Sequence, residues 1–124
     1  MKVALPIWQD HMSAVFDFAH KLFLVEFENG QDKGRQEIGL VEQGSPERAA
    51  TLKRLFVDIL ICGAISRSLA EMISALGIQI LPSVTGTTEQ IITAYKTGQL
   101  SQPQYILPDF LAWGPEMLSW RSRL

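Results

Sequence analysis

The rhythm of apolar and polar positions changes several times along the chain. Lys2 to Ile7 is a short strand-like run, with Pro6 limiting its length. Trp8 to Phe18 is a mixed loop with no clear period. Strand composition resumes over Leu22 to Glu28, where Phe23, Val25 and Phe27 form the uniformly apolar parity, and Asn29-Gly30 is a hairpin signal. The return strand is expected over about 35–42, with Gln31 to Gly34 extending the turn. Ser45-Pro46-Glu47 opens a helix, with Ser45 as cap and an apolar face of Ala49, Leu52, Leu55 and Phe56. Val57 to Cys62 is a compact apolar strand. Ser68 and Glu71 predict a capping box for a second helix, whose Leu69, Met72, Ile73 and Leu76 share one face up to Gly77. Ile78 to Leu81 is a further strand. Thr87 and Gln90 form a second capping box, followed by Ile91, Ile92 and Tyr95 and a stop at Gly98.

A hairpin followed by helix–strand alternation predicts an α/β fold. The expected sheet is mixed and five-stranded, hairpin strands first and parallel strands after, flanked by about three helices. Residues 101–124 break this pattern. Pro103, Pro108 and Pro115 interrupt them, and Tyr105, Phe110, Trp113 and Trp120 load them with aromatics. Residues 1–100 are thus expected to form the domain. Residues 101–124 form an extension that packs on it or on a partner, burying Trp113 or Trp120.

Composition narrows the function classes. The chain has 124 residues, 47% of them hydrophobic, and a net charge of −2. It is long enough for one core, and it carries no bulk basic field to draw it to nucleic acid or anionic lipid. No apolar run approaches the roughly 20 residues of a membrane span. One cysteine excludes an internal disulfide, and a lone thiol fits a cytoplasmic location. Strand one carries no acid, and Asp10, Asp17, Asp58, Glu71 and Glu89 are scattered, so a two-metal nuclease or a serine hydrolase is not expected.

In an open α/β sheet, ligands bind beyond the carboxyl ends of the parallel strands. Three loops should leave that edge: Trp8 to Phe16, Cys62 to Ser66, and Ser83 to Thr87. The last two run from strand through glycine to a helix N-terminus, an anion-friendly geometry. Neither has the lysine of a P-loop or the three glycines of a dinucleotide site.

Several segments, in order, carry a family resemblance. They are Met1-Lys2-Val3-Ala4-Leu5-Pro6, Met12 to Phe16, Ile61-Cys62-Gly63-Ala64-Ile65, Leu76-Gly77-Ile78, Thr85-Gly86-Thr87 and Ala94 to Leu100. Together they resemble the dinitrogenase iron–molybdenum cofactor biosynthesis family, which includes NifX and the C-terminal domain of NifB. The resemblance implies a ribonuclease-H-like fold and, in some members, carriage of an iron–sulfur or molybdenum-containing cluster. Val15 stands where those proteins usually have a histidine, and Asp17 where a glycine is usual.

The candidate cleft therefore comprises His11, Met12, Ser13, Phe16, Cys62, Gly63, Ala64, Thr85, Gly86 and Thr87. His11, four residues upstream of the missing histidine, and Cys62, its pKa lowered by the following helix, are the candidate metal ligands. Each also has a plainer reading: a surface histidine, and a small core hydrophobe. The expectation is a non-enzymatic carrier or binding protein, a monomer or homodimer, with a cofactor-assembly protein as partner. The alternatives are an interaction or regulatory domain that has the fold without a cluster, and a domain binding an anion or small metabolite.

Overall fold

The computed structural model describes residues 1–40 and 43–100; the expectations for 101–124 lie outside the described residues. Six strands and three α-helices follow one another as β1 (Lys2–Trp8), β2 (His11–Met12), β3 (Lys21–Glu28), β4 (Gln31–Gly39), α1 (Ser45–Arg54), β5 (Ile59–Ile61), α2 (Arg67–Ala75), β6 (Gln79–Leu81) and α3 (Thr88–Lys96). The sheet order is β4-β3-β1-β5-β6, with β2 paired only to β1. β4, β3 and β1 are antiparallel neighbours, whereas β1, β5 and β6 run parallel. This is the expected mixed α/β arrangement, hairpin strands first and parallel strands after, with one strand more. The sixth strand is the two-residue β2, too short to leave a periodic signal.

Both faces of the central strands β3, β1 and β5 are covered, which explains their patterning, whereas β4 is largely exposed. Ala4, Leu22, Leu24 and Leu60 pack with Ala49, Leu52, Leu69 and Ile73 of α1 and α2. Val3, Leu5, Val25, Phe27, Ile59 and Ile61 pack with Ile91 and Ile92 of α3. Both parities of β3 are thus apolar where helices cover them, and the glutamates begin only at Glu26. Each fully buried leucine or isoleucine contributes roughly 1.5–3 kcal/mol. Pro6 sits inside β1 without harm: the parallel ladder to β5 involves only Val3 and Ala4, and the Pro6 carbonyl accepts from the Ser13 N–H at 2.9 Å.

Several local expectations are corrected. The hairpin turn is only Asn29-Gly30, both with positive φ (54° and 75°), and β4 starts at once at Gln31. A tight two-residue turn of this kind matches the strand twist. Gly44, not Ser45, is the cap of α1. Ser66, not Ser68, caps α2, its Oγ accepting from the Leu69 N–H at 3.3 Å. The strand after α1 is shorter than Val57 to Cys62, spanning Ile59–Ile61. Met72 is more than a third exposed. The Thr87–Gln90 capping box is present in full.

The helix ends explain one further miss. After α2 and α3 the chain turns through the left-handed region at Gly77 and Gly98 (φ 84° and 72°). After α1 the same position is Phe56, at φ 60°. There its N–H donates to the Lys53 carbonyl and the Val57 N–H to the Leu52 carbonyl. Phe56 therefore leaves the helix face and is exposed, with the Lys2 ammonium 5.8 Å from its ring.

Candidate functional site

The carboxyl ends of β1, β5 and β6 bring the three loops to one edge. The Met12 N–H donates to the Gly86 carbonyl at 2.9 Å, and the Thr88 N–H to the Asp10 carbonyl at 2.8 Å. His11 and Thr87 form a bridge, as do Val15 and Ala64. The Ala64 N–H donates to the Ala14 carbonyl and the Phe16 N–H to the Ala64 carbonyl, both at 2.8 Å. Gly63 permits this approach. A Cβ there would stand 2.6 Å from the Ala14 oxygen and 2.9 Å from the Ser13 oxygen. The first loop is thus zipped to both others, and His11, Ser13, Gly63, Ala64, Gly86 and Thr87 share one neighbourhood.

Two candidates lie beneath this edge rather than on it. Phe16 and Cys62 are both fully buried in the core on the α1–α2 face. Burial pushes the Cys62 thiol far above its usual range, and the charge of Asp17 adds to the shift. This reverses the lowered pKa expected from the helix terminus, and it corrects Cys62 as a cleft ligand: the sulfur is a core hydrophobe. Met12 is almost fully buried on the opposite face. His11 is exposed, its Nδ1 2.7 Å from the Asp10 carboxylate.

The anion-friendly reading of the helix N-termini is also corrected. Asp17 Oδ1 accepts from the Ser66 N–H at 2.8 Å, so a carboxylate of the chain itself stands at the start of α2. The Thr87–Gln90 box uses backbone N–H groups at the start of α3, and the Asp10 carbonyl takes that of Thr88. These positions are satisfied from within.

The geometry rests on a residue that sequence reasoning missed. Arg48 of α1 is buried beneath the first loop. Its Nη1 donates to the Phe16 and Ala19 carbonyls at 3.1 and 2.8 Å, and its Nε to the Gln43 carbonyl at 2.9 Å. Desolvation lowers its pKa, and the negative charge of Asp17 opposes that shift. The available signal was an arginine placed among the apolar positions Ala49 and Leu52.

Beside the zipped loops lies an open depression of about 330 Å³. Ile7 and Met12 contribute to its apolar lining, Ser13 and His20 are its polar members, and Trp8 and Phe18 are exposed by 60% and 77%. Trp8 meets His20 edge to face, with ring centroids 6.2 Å apart. The apolar pattern has no period here, because the loop is ordered by long-range bonds. Among the described residues, no three His, Cys, Asp or Glu side chains are grouped so as to hold a metal ion. Among the described residues, the two candidate donors differ in access: His11 is exposed and Cys62 is buried. No described helix is long and apolar enough to cross a membrane.

No known family profile matches the chain. An uncharacterised protein of Methanocaldococcus jannaschii is 27% identical over 108 residues, covering 82% of this chain and 91% of that one. The solved structure of PH0822 superposes with a TM-score of 0.80 at 22% identity, covering 93% of this chain and all of the other. A Methanocaldococcus jannaschii protein provisionally called a dinitrogenase gives 0.69 at 23% identity, over 85% and 96% of the two chains. A Thermotoga protein provisionally called NifB gives 0.64 at 20%, over 87% and 97%. The chain thus has the α/β fold of these proteins, consistent with the resemblance that its own segments carry to the NifX-like dinitrogenase iron–molybdenum cofactor biosynthesis family.

Proposed function

We propose that the chain is a small, non-enzymatic binding protein that presents the zipped loop edge and its aromatic depression to a ligand. The observation that carries this reading is the depression itself, with Trp8 and Phe18 held exposed at the carboxyl ends of the parallel strands. Acid–base or metal-assisted chemistry has little support, because the titratable side chains named at this edge are separately engaged: His11 pairs with Asp10, Asp17 accepts from Ser66, and His20 lies edge to face with Trp8. Action in the cytoplasm, as a monomer or homodimer working with an assembly protein, belongs to the same proposal.

A second reading, carriage of an iron–sulfur or molybdenum-containing cluster as cargo, is favoured by the provisional names of two structural relatives. Only His11 of the two candidate ligands reaches the surface. Anaerobic purification followed by metal analysis separates the readings. The first predicts a colourless protein with iron and molybdenum far below one atom per chain. Stoichiometric metal, lost on His11→Ala, would establish the second.

A further inference from the structure

We infer that the depression beside the first loop takes a flat organic molecule that is neutral or positively charged, and that it discriminates against anions. The inference rests on reading this edge as the binding face, and it names the ligand class. Three observations carry it.

The first is the lining. Among the described residues, no Lys, Arg, Asp or Glu lines the depression, and His20 is its one ionisable side chain. Its walls are the indole of Trp8 and the ring of Phe18, with the Met12 thioether and the Ser13 hydroxyl between strand and loop. Aromatic faces carry negative quadrupolar charge. They attract cations and flat apolar groups, and give a carboxylate or phosphate no compensation for lost water. The second is the nearest acid in sequence. Asp17 directly precedes Phe18 of the wall, and its Oδ1 accepts from the Ser66 N–H at 2.8 Å. The third is the state of the two neighbouring helix N-termini. Asp17 occupies one, and the Thr87–Gln90 box with the Asp10 carbonyl occupies the other. The Ser66, Leu69, Thr88 and Gln90 N–H groups at these termini are therefore used by the chain itself. A volume of about 330 Å³ is at the small end of ligand pockets, suited to one fused ring pair.

The test is a matched series of indole probes that differ only in the charge of the side arm: tryptophol (neutral), tryptamine (cationic) and indole-3-acetate (anionic). Binding to the full chain is read by NMR shifts of the Trp8 indole N–H and the Met12 methyl. Tryptophol and tryptamine are expected to bind, with indole-3-acetate about tenfold weaker or worse. Trp8→Ala and Phe18→Leu should each weaken binding about tenfold while leaving the melting temperature unchanged, since both side chains are exposed. Equal or tighter binding of indole-3-acetate would overturn the inference. So would binding that survives Trp8→Ala, or shifts from none of the three probes. Metal analysis reports on the protein's cargo separately: stoichiometric metal would remove the proposed function whatever the probes do, while metal-free protein that ignores the probes leaves the binding face and removes only this ligand class.

Discussion

Replacing Arg48 with Met is expected to cost about 3 kcal/mol of folding stability. The guanidinium is buried and reaches four carbonyls, those of Phe16, Ala19, Gln43 and, at 3.5 Å, Leu40. Methionine matches its stem but donates nothing. The Ala19 and Gln43 carbonyls lose a charged donor, and Phe16 keeps only the Ala19 N–H at 3.1 Å. Asp17 also loses the positive charge that acts on it. Arg48→Lys should recover less than half of the loss, because one ammonium on a flexible stem cannot span the same carbonyls as a planar fork. Urea unfolding followed by circular dichroism checks this. The midpoint should fall at constant m-value, and a shift equivalent to under about 1 kcal/mol would mean the carbonyls are satisfied in another way.

Gly63→Ala is expected to cost a similar amount, about 2–3 kcal/mol, by a different route. Its φ is not the issue. The added methyl meets two backbone oxygens, of Ala14 and Ser13, that cannot rotate away. The strain is relieved only if the first loop moves off the second, which breaks the Ala64–Ala14 and Phe16–Ala64 hydrogen bonds. Hydrogen exchange of the Phe16 and Ala64 amides should accelerate beyond what the global loss of stability explains. Unchanged protection at those two amides would show that the loops are not held by this contact.

These two residues mark the boundary between what the sequence states and what it withholds. Local chemistry was legible. Asn29-Gly30 turned the chain where expected, and Thr87 with Gln90 capped α3, because those signals act over two or three residues. The order of elements was legible too, since parallel strands need crossover helices. The meeting of the three loops followed from that order alone. The failures involve partners far apart in the chain. Ser66 became the cap of α2 with its own N–H held by Asp17, 49 residues away, whereas Ser68 with Glu71 matched the local motif. Arg48 reaches carbonyls 29 and 32 residues back, and no spacing rule announces a buried arginine. Phe56 has the right period for the α1 face, but it falls two residues past the end of the helix, where the backbone turns left-handed. Cys62 was ambiguous for a related reason. A residue ending a buried strand before a helix is close to a dipole, yet packing places its sulfur under the loop rather than in it.

The proposed binding edge is built without a thiolate. That is tested most directly by the rate at which a thiol-specific disulfide reagent modifies Cys62 in the native protein. With the side chain fully buried and its pKa raised, the reaction should proceed only as fast as the chain opens, and should become rapid in denaturant. Rapid stoichiometric modification of the folded protein would put the sulfur at the surface, and would contradict a binding face made of aromatic rings and backbone.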